Sequence, residues 1–180
     1  EFKLTTVYVT HDQKEALSLA HRIAAVHNGR IAQIGTPREL YDEPASSYVA
    51  HLLGPANHFD GVVKQRDGDS ILVETEIGPA RGQARKGGGS PAIGEKVTVL
   101  FRPEAASLAG HDNDAGNRGE NEWPCVREGQ VFAGSHTEEF VRVGDSIQLC
   151  AWSTTREALP GKRTKIRVPE RAVRVLPREE

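Results

Sequence analysis

Apolar and polar positions follow two different periods along this chain of 180 residues, and the change falls just after residue 55. Before it, the spacing is mostly helical. Leu4, Val7 and Val9 form a short apolar run of the kind buried as a strand in a parallel sheet. Ala16, Leu17 and Ala20 give the buried stripe of a helix running to about His21. Asp12 stands ready to cap that helix, and Glu15, three residues on, completes a capping-box pattern. Ile23 to Val26 and Arg30 to Ile34 predict two strands, joined by Asn28-Gly29, the strongest short-range hairpin signal. Thr36-Pro37-Arg38-Glu39 repeats the capping logic with Pro37 at the first helical position. A short helix then carries Leu40 and Tyr41 until Pro44. Ser46 or Ser47 caps a final helix holding Tyr48, Val49, Leu52 and Leu53, which Gly54-Pro55 stops.

Beyond Asn57 the period becomes two. Gly61 to Lys64, Ser70 to Ile77 and Glu95 to Phe101 predict strands, with Ile71, Val73, Thr75 and Ile77 on one face and Leu72, Glu74 and Glu76 on the other. Asp67-Gly68-Asp69 turns between the first two. Val126 to Ala133, Glu138 to Val143 and Ser146 to Trp152 repeat the pattern, with Gly144-Asp145 as a turn. Lys165 to Val168 and Ala172 to Leu176, separated by Pro169-Glu170, supply the last two strands. Short strands with glycine turns at this spacing predict an antiparallel barrel or sandwich. Residues 109–122 are polar and glycine-rich, and a mobile loop is expected there. Gly87-Gly88-Gly89-Ser90 also predicts a loop, since neither a lysine-serine pair nor a strand-to-helix transition follows it.

Composition narrows the picture. Charged residues make up 27% and apolar residues 37%, with no run near the ~18 apolar residues of a spanning helix. No secretory n-region and h-region opens the chain. The net charge of −2, without a long basic run, makes duplex nucleic acid a poor partner. Cys125 and Cys150 lie outside any C-x-x-C pattern and predict reduced, strand-borne packing residues, as suits the cytosol. The chain holds no methionine, which is expected of a fragment.

The motifs of the first segment make the chain recognisable. Thr10-His11-Asp12-Gln13-Lys14-Glu15-Ala16-Leu17, then Asn28-Gly29-Arg30-Ile31, then Gln33-Ile34-Gly35-Thr36-Pro37 resemble the C-terminal end of an ABC importer ATPase domain. Tyr41-Asp42-Glu43-Pro44 and Gly54-Pro55-Ala56-Asn57 extend the resemblance. It is to the subfamily that energises uptake of polyamines, ferric iron, sulfate, maltose and related solutes. The fold class expected is therefore α+β. Residues 1–55 would be the C-terminal piece of a P-loop α/β domain, and residues 56–180 an all-β, OB-like barrel of the TOBE type. Phe101-Arg102-Pro103-Glu104 resembles the TOBE Arg-Pro-Glu motif, and Gly134-Ser135 falls where the second barrel segment would begin.

The resemblance implies that His11 is the switch histidine, which contacts the γ-phosphate of ATP. An imidazole, with its ordinary pKa of about 6.5, suits a group that hydrogen-bonds phosphate and responds to its loss. Taken alone, a histidine at a strand end does no more than satisfy loop backbone. ATP and Mg²⁺ belong to the parent protein. The phosphate-binding G-x-x-x-x-G-K-[ST] loop, the Leu-Ser-Gly-Gly-Gln signature and the apolar run ending in Asp-Glu do not occur in this sequence. No cofactor and no hydrolysis are therefore expected of the chain by itself. The implied partners are a second copy, paired through the β domain, and the permease subunits that hold the protein on the cytoplasmic face of the membrane.

Two other readings of the β domain compete. It could sense a small ligand that slows the pump, with Arg102 and Glu104 at a strand end as candidates; their other role is a structural salt bridge. It could instead be an oligonucleotide-binding OB fold, but aromatics are only 6% of residues and no basic, aromatic strand provides a stacking platform. No histidine or cysteine spacing indicates a metal site, and His111-Asp112-Asn113-Asp114 offers fewer oxygens than an EF-hand loop. Glu138 and Glu139 face opposite sides of one strand, so they predict a solvated strand end rather than an acid-base couple. Trp123 and Trp152 predict core anchors.

Overall fold

The computed structural model describes residues 4–109, 120–154 and 161–178. The chain divides between Gly54 and Pro55 into two compact units.

The first unit begins with residues 4–10, which join neither a helix nor a sheet. The strand expected there does not form, because among the described residues nothing lies alongside to take its hydrogen bonds. Val7 is accordingly 89% exposed and Val9 84%. Helix α1 (Gln13–Leu19) follows, with the Asp12 carboxylate accepting from the backbone N–H groups of Lys14 and Glu15. The expected capping box is not made, since Glu15 turns back to accept from Tyr8 and Thr10 instead. Strands β1 (Ile23–His27) and β2 (Arg30–Gly35) pair antiparallel. Their turn places Asn28 and Gly29 at φ 48° and 72°, the left-handed pair that a two-residue hairpin demands. Helix α2 (Pro37–Asp42) has a complete capping box between Thr36 and Glu39, and α3 (Ser47–Leu52) is capped by Ser46. The unit's core comprises Ala25, Leu40, Val49 and Leu53.

The second unit is the same five-stranded piece built twice. The first copy runs β3 (Asn57–Asp67), β4 (Ser70–Thr75), β5 (Gly78–Ala84), β6 (Lys96–Phe101), a 3-10 turn over Pro103–Ala105, and β7 (Ser107–Leu108). The second runs β8 (Glu120–Phe132), β9 (Thr137–Val143), β10 (Ile147–Ser153), β11 (Arg163–Pro169), a 3-10 turn over Glu170–Ala172, and β12 (Arg174–Pro177). Details recur between them. Val63 and Arg127 occupy matching places, each followed by a register shift. Val63 exchanges backbone bonds with Glu95 and Gly94 (3.0 and 2.8 Å), and Arg127 does so with Lys162 and Gly161 (3.1 and 2.8 Å).

The copies exchange their last strands. β12 pairs with both β5 and β6 and closes a barrel in the order β12-β5-β4-β3-β6. β7 crosses to β11, giving a sheet in the order β10-β9-β8-β11-β7. One core serves both halves, from Phe59, Ile71, Val97 and Phe101 to Trp123, Val141, Leu149 and Ile166. Ile71, Val73 and Thr75 are buried together as the alternation predicts.

Strand β5 and the short β7 were not expected. Gly78, Pro79 and Gly82 give β5 little intrinsic strand preference. Gly82 is nonetheless required, because a Cβ there would lie 2.7 Å from Val173 Cγ1 on the neighbouring stretch. Gly134-Ser135 is the tip of the β8–β9 hairpin, and the second copy starts earlier, with β8. Residues 110–119 of the predicted mobile loop, including His111, Asp112, Asn113 and Asp114, lie outside the described residues.

Candidate functional site

His11 stands at the turn that opens α1, and its placement is local. Asp12 N–H donates to Thr10 Oγ1 (2.9 Å), and Thr10 Oγ1 donates to Glu15 Oε2 (2.7 Å). The Asp12 carboxylate then holds Lys14 N–H at 2.7 Å. This chain of bonds clamps the residues on both sides of His11, while its ring is exposed and makes no hydrogen bond among the described residues. The Tyr8 hydroxyl also donates to Glu15 (3.0 Å), and that carboxylate raises the tyrosine pKa by hydrogen bond and charge. The imidazole is thus presented to solvent on a fixed backbone, next to a helix N-terminus already occupied by Asp12.

Arg102 and Glu104 are placed differently from one another. Arg102 is buried at the end of β6, and its Nη1 donates to the Pro55 carbonyl at 3.1 Å, fastening the start of the second unit. Glu104 is exposed on the 3-10 turn.

The reading of Glu138 and Glu139 as a solvated strand end is overturned at Glu139. That residue is 3% exposed and ion-pairs with Arg127 at 3.2 Å. Its burial comes from register: Glu139 lies opposite Gln130 on β8 and Ala151 on β10, facing the core. Glu138 keeps to the other face, 3.6 Å from the His136 ring. His136 in turn lies against Trp152 with the rings tilted by 34° and their centroids 4.0 Å apart, and Trp152 is half-buried. Trp123 is the deeper anchor, edge-on to Phe59 at 5.6 Å and stacked with Phe101 at 6.4 Å.

Two asparagines join the copies, and the sequence reading passed over both. Asn57 Nδ2 donates to the Cys150 carbonyl (2.8 Å), and its Oδ1 accepts from Cys150 N–H (2.7 Å). Asn121 makes the reciprocal pair with Arg81, at 2.8 and 2.6 Å, and reaches the Val168 carbonyl at 3.2 Å. Each amide imitates a strand neighbour to the other copy's third strand. The signal was present as Asn-x-aromatic, at Asn57-His58-Phe59 and again at Asn121-Glu122-Trp123.

Cys125 and Cys150 are free, on β8 and β10. Burial pushes the Cys125 thiol up to about 11 and the Cys150 thiol up to about 12, so both stay protonated near neutrality. Among the described residues no group of three His, Cys, Asp or Glu is placed to hold a metal, and no helix is long and apolar enough to cross a membrane.

The strand-exchanged, OB-like second unit defines a β module of the TOBE type. Its fold is similar to that of the cytoplasmic molybdate-binding protein ModG, with a TM-score of 0.55 at 13% identity over 68% of this chain and 96% of that one. No protein-family model matches the chain. By sequence it is 34% identical over 151 residues, 84% of its length, to the spermidine/putrescine import ATP-binding protein PotA of Rubrobacter xylanophilus. It is 38% identical over 151 residues to the protein of that name from Marinobacter nauticus, and 41% identical over 150 residues to that from Trichormus variabilis. The chain belongs to this family of import ATP-binding proteins and carries a TOBE-bearing portion of it. It spans 38% of the Rubrobacter protein's length, 39% of the Marinobacter protein's and 38% of the Trichormus protein's.

Proposed function

We propose that the parent of this chain is the ATP-binding subunit of an ABC-type importer that couples ATP hydrolysis to uptake of small polyamines. The observation that carries this reading is the sequence match across 84% of the chain to spermidine/putrescine import proteins. The ordered motifs from Thr10 to Pro37 support it further. Residues 1–54 then complete the P-loop α/β domain, and the exposed apolar run of Leu4, Val7 and Val9 has the character of a strand awaiting its sheet.

In this reading His11 is the switch histidine. Its ring projects from a turn clamped by Thr10, Asp12 and Glu15, so it can meet a γ-phosphate without reorganising the backbone. ATP and Mg²⁺ are bound by the P-loop portion of the parent and not by the residues described here. The second unit pairs with a second copy of the protein, and the parent docks on permease subunits at the cytoplasmic face of the membrane.

The test has two arms. In the intact subunit assembled with its permease, His11→Ala should lower ATP turnover at least tenfold, while the 180-residue chain alone should show no stoichiometric nucleotide binding by calorimetry. Unchanged turnover in the variant, or tight ATP binding by the isolated chain, would sink the reading.

A further inference from the structure

Two helices of the first unit follow one local pattern but are wired differently. Each has a capping residue, Asp12 or Thr36, and a glutamate three positions on, Glu15 or Glu39. At α2 the glutamate returns to its own cap: Glu39 Oε2 accepts from Thr36 N–H at 2.8 Å and completes the capping box. At α1 the glutamate is diverted. Glu15 Oε2 accepts from Thr10 Oγ1 at 2.7 Å and from the Tyr8 hydroxyl at 3.0 Å. The N–H of the cap, Asp12, is taken instead by Thr10 Oγ1 at 2.9 Å. The threonine hydroxyl thus donates to the carboxylate and accepts from Asp12, and this two-bond relay spans His11.

Stability does not account for the diversion. Helix α1 buries no residue, and Tyr8 is 63% exposed. Hydrogen bonds so open to water contribute little net free energy, and an ordinary capping box would satisfy the same helix end. What the diversion achieves is geometric. It joins the backbone before His11 to the first helical turn after it, across a residue whose ring is exposed. At α2 the residue before the cap is Gly35, which has no side chain to aim, and the plain box suffices.

We propose that Glu15 is a positioning residue for ATP hydrolysis in the parent subunit: acting through Thr10, it fixes the turn that aims His11 at the γ-phosphate. This inference rests on the reading of His11 as the switch histidine. Glu15 takes no chemical step, and its carboxylate acts only on the direction of the imidazole. Phosphoryl transfer depends on placement more than on covalent participation by the protein, and a misplacement of about 1 Å costs on the order of a hundredfold in rate. The loss therefore falls on kcat and not on the affinity for ATP.

The experiment measures ATP turnover by the intact subunit assembled with its permease, with kcat and the KM for ATP determined separately. Glu15→Ala should lower kcat about tenfold and leave KM within about twofold. Thr10→Val, which removes the relay hydroxyl at nearly constant shape, should do the same, and it carries the test if Glu15→Ala does not assemble. Glu15→Gln and Thr10→Ser, which keep an acceptor and a hydroxyl, should recover most of the lost rate. Glu39→Ala, the matching change at α2, should leave kcat at the wild-type value. In a His11→Ala background, Glu15→Ala should cost nothing more, because a residue that acts through the ring has no effect once the ring is gone. A slow His11→Ala subunit beside normal Glu15→Ala and Thr10→Val subunits would overturn this inference alone. So would a full further loss in the His11→Ala background, or conservative variants as slow as the disruptive ones. A normal rate for His11→Ala would sink the functional reading and this inference with it.

Discussion

The two units of this chain meet the same requirement, burying apolar surface, with opposite success. Residues 1–54 form four well-capped or well-turned local elements around a core of Ala25, Leu40, Val49 and Leu53. Among the described residues, nine of the twelve large apolar side chains that stand exposed belong to this unit, among them Leu4, Val7, Val9, Leu19 and Ile31. Among the described residues of 55–180, the large apolar side chains left exposed are Ile93, Val131 and Phe132, and a continuous core shared by both copies is buried. Local signals can therefore define elements without making a stable domain, whereas reciprocal strand exchange makes one from weak local signals. A unit with a core that small is not expected to outweigh the entropy of ordering its own chain.

The largest effect follows from that contrast. Residues 55–180 expressed alone should unfold in urea in one cooperative transition, because each copy's last strand belongs to the other's sheet. Residues 1–54 alone should show no cooperative transition by circular dichroism. A sigmoidal, two-state melt of the shorter piece would break the comparison. Next in size is Trp123→Ala in the 55–180 unit, where loss of the central aromatic should cost about 3–5 kcal/mol. Because Trp123 packs on Phe59 and Phe101 of the other copy, the loss should shift the whole transition. Appearance of two separate transitions would mean that the copies are independent, and would refute a shared core.

What the sequence disclosed follows the range of the interaction concerned. The Asn28-Gly29 turn and the Thr36–Glu39 capping box were legible because everything that makes them lies within a few residues. Strand β5 was not, because Gly82 is selected by Val173, ninety-one positions later in the chain, and not by any strand preference of its own. Glu139 was misread for a related reason. Alternation correctly separated it from Glu138, but which face is inward depends on strand pairing, and its partner Arg127 sits across a register shift on β8. The duplication itself was legible in Asn57-x-Phe59 and Asn121-x-Trp123, yet its meaning needed the reciprocal contacts with Cys150 and Arg81. At the candidate site, sequence placed His11 on a turn before a helix. The bonds from Thr10 and Asp12 that fix the turn came from the structure.

The smallest effect separates the units by their charges. In the first, Arg38 and Asp42 pair at 3.2 Å within a single helix, with the arginine side chain 92% exposed. In the second, Glu122 receives Lys165 at 2.6 Å and Arg167 at 2.7 Å, so it ties β8 to β11 across more than forty residues of sequence. Those two hydrogen bonds hold the Glu122 carboxyl below its ordinary range. A carboxyl whose pKa is lower folded than unfolded stabilises the fold at pH values above the unfolded one, about 4.3, and the gain fades as pH falls through the lowered value. In urea titrations of the 55–180 unit, Glu122→Gln should therefore lower the midpoint slightly at pH 7, and the difference from wild type should shrink towards zero in acid. Asp42→Asn, tested in the full chain, should leave the unfolding midpoint unchanged at either pH, since an exposed pair within one helix contributes little. If the two substitutions behaved alike, the long-range tie would be no more than another solvated pair, and the contrast between the units would rest on their cores alone.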